Sequence, residues 1–399
     1  MAKLSDVAAI NPTRKVKKGE FVPFIEMAAL PLSGRDISAS DVAIRIAKAA
    51  GAHFQNGDTL LARITPCLEN GKTAQVNVLA DGAVGEGSTE FIVLCGHDSA
   101  DNDFVYYLCR EPEFRKFAIS RMEGTSGRQR VSWQSIAGYP IELPSPDIRR
   151  DAAGFLATLD DRIANLRQIN TTLEAIAAAL FKSLFVYFDG VPPEDMQESE
   201  LGLIPQGWRI GILGDLCELN AAKWTDKKHP PTVRYIDLSS VSANRIEAVN
   251  EFAFDAAPSR ARMQLREGDT IVGTVRPGNR AFAYIHAPTP NLTGSTGFAV
   301  LSPKQPHYAS FIYLAATRDE AIQRLANLAD GAAYPAVRSN VVAETPCAIA
   351  PDEVIAEFSV VTKPMLERIE QNNQEATTLA NLRDALLPRL LSGQLRVKQ

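Results

Sequence analysis

Residues 162–184 read RIANLRQINTTLEAIAAALFKSL, and residues 368–390 read RIEQNNQEATTLANLRDALLPRL. At one offset, 206, Arg162-Ile163 meets Arg368-Ile369, Gln168 meets Gln374, and Thr171-Thr172-Leu173 meets Thr377-Thr378-Leu379. Ala179-Leu180 and Leu184 then meet Ala385-Leu386 and Leu390. Two helices can resemble each other by chance, so the match needs support elsewhere, and three more ordered blocks supply it. Leu4-Ser5-Asp6-Val7 with Asn11 returns as Leu213-Gly214-Asp215-Leu216 with Asn220, Gly57-Asp58-Thr59-Leu60 with Pro66 as Gly268-Asp269-Thr270-Ile271 with Pro277, and Ser88-Thr89-Glu90-Phe91 as Ser295-Thr296-Gly297-Phe298. The chain is a tandem duplication, and each copy is a mixed globular region followed by a long helix.

The first helix is expected from about Asp147, following Pro146, to about Phe188. Its apolar residues, Leu156, Leu159, Ile163, Leu166, Leu173, Ala177, Leu180 and Leu184, are spaced three and four apart except at one slot, which holds Asn170. That is a coiled-coil stripe. The second helix, about Asp352 to Leu391, carries Phe358, Met365, Ile369, Ala376, Leu379, Leu386 and Leu390 in the same register, with Asn372 as its polar interruption. Pro364 and Pro388 are expected to kink or fray it. An antiparallel pair would relate the halves by a pseudo-twofold axis and bring Asn170 opposite Asn372, where the two amides either hydrogen-bond and fix the register or each point to solvent at a helix irregularity. The β-rich runs around Thr59 to Ile64, Glu90 to Cys95, Thr270 to Val275 and Gly297 to Leu301 are broken by Gly, Pro and Asn, as irregular strands are. The fold class is therefore α+β: two mixed domains joined by two long antiparallel coiled-coil helices. The divisions are residues 1–146, 147–188 (central helix), 189–207 (acidic linker), 208–351 and 352–399 (C-terminal helix).

Composition narrows the function classes. With 45% hydrophobic and 22% charged residues the 399-residue chain is neither disordered nor a membrane protein by composition. No leader-like start or long uninterrupted apolar run is evident, so a cytoplasmic protein is expected. Cys67, Cys95, Cys109, Cys217 and Cys347 contain no CxxC, which points to reduced thiols rather than disulfides or zinc. The five histidines are at least 21 positions apart, without local metal spacing. Gly71-Lys72-Thr73 lacks the glycine that a phosphate-binding loop needs five positions earlier, where Pro66 stands.

The stretches Gly127-Arg128-Gln129-Arg130-Val131-Ser132-Trp133, Pro140-Ile141-Glu142-Leu143-Pro144, Leu159-Asp160-Asp161-Arg162-Ile163, Asn170-Thr171-Thr172-Leu173-Glu174 and Leu201-Gly202-Leu203-Ile204-Pro205-Gln206-Gly207-Trp208 resemble the DNA specificity (S) subunits of type I restriction-modification systems. The likeness covers the whole chain, duplication included. It implies two target recognition domains, residues 1–146 and 208–351, each reading one half of a bipartite, asymmetric site on double-stranded DNA, with the helices setting the gap. It also implies docking of two methylation (M) subunits on the helices, through residues such as Leu159, Ile163, Leu173, Leu180, Ile369, Leu379 and Leu386, and recruitment of restriction (R) subunits. The chain itself would carry no catalytic residue, metal or cofactor; S-adenosylmethionine for adenine N6 methylation, ATP and Mg would belong to the partners. Consistent with that, the one Asn-Pro, Asn11-Pro12, is followed by Thr13-Arg14, not by the Pro-aromatic pair of an adenine methyltransferase. The competing reading is a coiled-coil scaffold that organises partners without reading DNA.

Candidate DNA contacts are Arg14, Lys15, Lys17 and Lys18 in the first copy and Lys223, Lys227 and Lys228 at the matching place in the second, suited to phosphates. Turn residues Arg63, Thr65, Asn70 and Lys72 correspond to Arg276, Asn279 and Arg280, whose donors suit base edges. Arg128, Gln129 and Arg130 correspond to the stretch 331–339 with Arg338, and could instead meet a methylation subunit. Phe104, Tyr106, Tyr107, Phe311 and Tyr313 are expected in the core. The net charge of −5 argues against a nucleic-acid binder, but residues 189–207 hold five carboxylates and no basic residue. The domains are near neutral, so the chain by itself is expected to bind DNA weakly, with partners supplying further neutralisation.

Overall fold

A computed structural model of the chain describes residues 2–125, 127–200, 202–331 and 334–397. Two compact units are present: Met1–Leu166 with Glu375–Gln399, and Arg167–Gln374. Each contains its own globular domain and its own stretch of both long helices, so the division falls inside the helices and not at the linker.

In the first unit an antiparallel sheet has the order Ala8–Ile10, Phe91–Gly96, Thr59–Ala62, Thr73–Gln75. A second sheet has the order Val42–Ile46, Phe21–Ile25, Gly85–Gly87, Ala52–Phe54, with one parallel pair between Phe21–Ile25 and Gly85–Gly87. The second unit repeats both: Cys217–Leu219, Phe298–Pro303, Thr270–Gly273, Phe282–Tyr284, and Asn250–Ala253, Thr232–Ile236, Leu292–Ser295, Ala261–Gln264, again with a single parallel pair in the second sheet. Identical strand order, parallel pair included, makes the duplication structural as well as sequential. Asn11 and Asn220 show it at one residue: both have a left-handed backbone (φ 49° and 53°), and both side chains accept the amide of the partner strand, Val93 or Val300, at 3.0 Å. Asn tolerates that conformation better than other side chains.

The central helix runs Pro146–Lys182 and ends in a wider turn, Ser183–Tyr187, before Phe188 turns left-handed (φ 57°). Asp147 lies inside the first turn, favourable to the helix dipole, and does not cap it. The C-terminal helix is continuous over Asp352–Leu391, so Pro364 and Pro388 do not break it; Gly393 (φ 73°) follows its end. Within the first unit the helices pack antiparallel, with Ile163 and Leu166 against Ala376, Leu379 and Ala380. Leu156 sits with Leu387, Leu390 and the domain residues Phe104 and Phe114. In the second unit Phe181 and Phe185 meet Phe311 and Phe358 with ring centroids 4.9–6.1 Å apart. A buried side chain of this size contributes about 2 kcal/mol, so these clusters fasten each domain to its helices.

The polar interruptions pair as the register requires. Asn372 Nδ2 donates to Asn170 Oδ1 at 2.7 Å, and Asn170 Nδ2 donates to Asn373 Oδ1 at 2.8 Å; both Asn170 and Asn372 are buried. The first unit has an ionic equivalent: Arg383 donates to Asp160, which also accepts the Tyr107 hydroxyl at 2.7 Å, and all three residues are at most 5% exposed.

Two expectations change. The acidic segment 189–207 is not a loose linker, because Met196–Ser199 and Gly202–Pro205 form an antiparallel hairpin and Gln197 Nε2 donates to the carbonyl of Trp208 at 2.8 Å. The stretch Pro146–Tyr187 contains an 18-residue window of mean hydropathy 1.4, long and apolar enough to cross a membrane by length and composition. Part of that apolarity is used internally, since Ala177, Phe181 and Phe185 are buried in the core of the second unit. Phe104, Tyr106, Tyr107, Phe311 and Tyr313 are core residues, at most 3% exposed. All five cysteines are free thiols.

Candidate nucleic-acid interface

Three loops that lie far apart in sequence meet in each unit through the same main-chain bonds. In the first, Arg63 N donates to Glu90 O (3.0 Å), Val131 N to Arg63 O (2.9 Å), and Thr65 N to Gln129 O (3.0 Å). In the second, Thr274 N donates to Gly297 O (2.9 Å), Val337 N to Thr274 O (2.9 Å), and Arg276 N to Pro335 O (2.7 Å). The partners correspond one for one under the repeat. A strand-end turn, the loop before the next strand and the loop before a short helix, Trp133–Ala137 or Ser339–Ala343, are thereby gathered into one cluster per domain. Ser126, Leu201, Ala332 and Ala333, which fall in quoted motifs and loops, lie outside the described residues.

The side chains of the expected contacts divide by what they already bind. Lys15, Lys18, Asn70 and Arg128 in the first unit, and Lys223, Lys227, Lys228, Asn279 and Arg338 in the second, are exposed. Their side-chain polar groups have no hydrogen-bond or ion-pair partner among the described residues. Lys17 is exposed and 3.6 Å from Glu20, a pairing worth little in solvent. Arg276 is exposed, left-handed (φ 48°), and stacks its guanidinium 4.6 Å from the Tyr334 ring centroid. Cationic and amide donors are thus displayed on loops in both copies.

Four expected contacts have other work. Arg14 donates to both oxygens of buried Asp58 (2.9 and 3.3 Å), and that hydrogen bond raises its pKa above the ordinary arginine value. Lys72 caps the carbonyls of Met27 and Ala28 at 2.8 and 3.3 Å. Arg130 grips Glu90 with two nitrogens at 2.7–3.0 Å, tying two of the gathered loops together. Arg280 donates to Asp319 at 2.6 Å. Gln129 enters the cluster through its main chain, while Thr65 Oγ1 is buried with no hydrogen-bond partner among the described residues. These bonds shape the loops; their partners are distant in sequence, and no local pattern announces them.

The helix residues expected to receive partners are corrected for a similar reason. Ile163 and Ile369 are each 2% exposed, and Leu173, Leu180, Leu379 and Leu386 pack on the cores, with Leu159 half-buried. The coiled-coil stripe is largely consumed within the chain, with Leu184 at its end 39% exposed. Off the stripe, Ile176, Val360, Val361 and Leu382 are 43–77% exposed.

Among the described residues no group of three His, Cys, Asp or Glu side chains is placed to hold a metal ion. No family model matches the sequence. The chain is 23% identical over 315 residues to the type I restriction enzyme MjaIX specificity subunit of Methanocaldococcus jannaschii, covering 76% of this chain and 71% of that protein. It is 22% identical to the HindI specificity subunit of Haemophilus influenzae over 86% and 87% of the two chains. The chain is a homologue of type I restriction enzyme specificity subunits. The crystal structure of the type I restriction-modification S subunit from M. genitalium has the same fold, with TM-score 0.52 at 16% identity over 98% of this chain and 95% of that one. The paired loop clusters share their main-chain bonds while their side chains differ.

Proposed function

We propose that the chain is the non-catalytic DNA-recognition subunit of a type I restriction-modification complex, each domain reading one half of a bipartite site on double-stranded DNA. The observation that carries this reading is the recurrence, in both copies, of one main-chain-bonded loop cluster presenting unpaired cations. Conserved main-chain bonding holds a platform, while different side chains on it give each copy its own sequence preference. Methylation subunits dock on the helices through the exposed apolar residues Ile176, Val360, Val361 and Leu382, because the stripe at Ile163 and Ile369 is already buried. Those subunits bring S-adenosylmethionine, and the restriction subunits bring ATP and Mg; the whole assembly works in the cytoplasm.

The test is reconstitution with the methylation subunits. Mapping methylated adenines in the host genome yields the site, and duplexes with and without it are then titrated across salt. A bipartite site bound tightly and with a steep salt dependence is the expected result. Equal binding to all duplexes, or none, would leave the chain as a scaffold.

A further inference from the structure

A pocket of about 340 Å³ opens beside the loop cluster of the first unit, with Arg14, Gly51, His53, Arg63 and Thr89 in its lining. The Arg63 side chain is half-buried there, its Nε is shielded from solvent, and among the described residues it has neither a side-chain hydrogen-bond partner nor an ion pair. An arginine has five donors, and a buried donor left without a partner is destabilising. His53 Nε2 is buried 4.0 Å from Glu86 Oε1 with no hydrogen bond among the described residues, while its Nδ1 lies 3.1 Å from the Arg14 carbonyl.

The nearby carboxylates cannot supply the missing partner. Asp58 is held by Arg14, and Glu90 by Arg130. Glu86 accepts the backbone amides of Lys48, Ala50 and Gly51 at 3.0–3.2 Å. Every acid around the pocket is therefore engaged, and the charge of Arg63 is left for something outside the chain. The second unit has no such group: Thr274 stands at this position and donates its hydroxyl to the Gly297 carbonyl at 2.8 Å.

We propose that this pocket binds a phosphodiester of the DNA backbone through the Arg63 guanidinium, so that the first domain grips the duplex at a point where the second does not. The fork of an arginine suits phosphate oxygens, and the pocket adjoins the loop cluster. The inference rests on the DNA-recognition reading and reassigns Arg63 from base edge to phosphate.

Arg63→Gln and Arg63→Lys separate the possibilities in the complex with methylation subunits. A phosphate contact predicts that Arg63→Gln weakens site and non-site duplexes by the same factor, about tenfold. It also predicts that the salt slope falls by about one and that Lys restores part of both. Loss confined to the site duplex would make Arg63 a base reader, and no loss would make it idle; either result overturns the proposal. A second arm uses inorganic phosphate with the full chain at constant ionic strength. Phosphate should raise the melting temperature of the wild type and of Arg63→Lys, but not of Arg63→Gln. An equal response in all three, or none, also overturns it. If the wild-type complex bound no duplex, the DNA-recognition reading would fall together with the phosphodiester assignment, while the phosphate arm would still decide whether Arg63 holds an anion.

Discussion

Replacing Asp160 with Asn removes one charge from a site that has almost no water. Asp160 and Arg383 are 3% and 5% exposed, and Tyr107, which donates to Asp160 at 2.7 Å, is 1% exposed. Burial opposes the charge of Arg383, but Asp160 and Asp384 beside it outweigh that and raise its pKa. In Asp160→Asn the guanidinium keeps only Asp384, which is 62% exposed in its side chain and screened by solvent. Breaking a buried pair from one side costs about 3–5 kcal/mol. For a unit of this size that corresponds to a fall of roughly 6–20 °C in melting temperature. The loss should be read by calorimetry and by amide exchange, which assigns it to helix residues 156–166 and 376–387. The double variant Asp160→Leu with Arg383→Met removes both charges and should recover part of the loss, because an apolar pair replaces an ion pair at little cost while the buried Tyr107 hydroxyl is left without its acceptor. A single variant costing under about 1 kcal/mol, or a double variant as unstable as the single, would refute the account of this seam.

Asn170→Ala should destabilise the second unit by about 1–3 kcal/mol, because the amide of fully buried Asn372 loses its acceptor; thermal unfolding checks this, and Asn372→Ala should match it. Asp269 has its carboxyl pushed up to about 6, chiefly by burial. A raised acid stabilises the fold below its unfolded pKa near 4 and loses that contribution as pH rises through about 6. Asp269→Asn should therefore raise the melting temperature at pH 7.5 and change it little at pH 4; the opposite order would contradict the burial. Replacing Lys227 and Lys228 together by Ala should lower the salt slope of DNA binding by about two with no change in the bases preferred, measured by titration of the reconstituted complex.

What the sequence disclosed was whatever repeats or has a period. The 3-4 spacing from Leu156 to Leu184 marks the helix because a helix shows one face every turn, and Asn170 and Asn372 stand out because they interrupt that face. The offset between copies located the turn at Arg63 and the turn at Arg276 before their strands could be assigned. The ionic partners were hidden for the converse reason: Arg14 meets Asp58 and Arg130 meets Glu90 across 44 and 40 residues, a closeness made by the sheet and not by spacing. The hairpin at 196–205 reads as a linker because the five acids of the segment 189–207 outweigh a short, weak alternation. The stripe residues Ile163 and Ile369 were expected to await a partner, but periodicity reports only that a face is apolar and cannot say whether the cover comes from the same chain.

The division of the chain inside both helices bears on inheritance. The second unit is one uninterrupted stretch, Arg167–Gln374, so two crossovers, one in each helix, transplant an entire core together with its own segments of helix. The first unit, which owns both chain ends, is left whole by the same event. Because each unit keeps its own hydrophobic clusters and its own polar pair, Asn170 with Asn372 or Asp160 with Arg383, such an exchange severs no buried contact within either. A gene with this layout can be reshuffled at the cost of matching two junctions on helix surfaces.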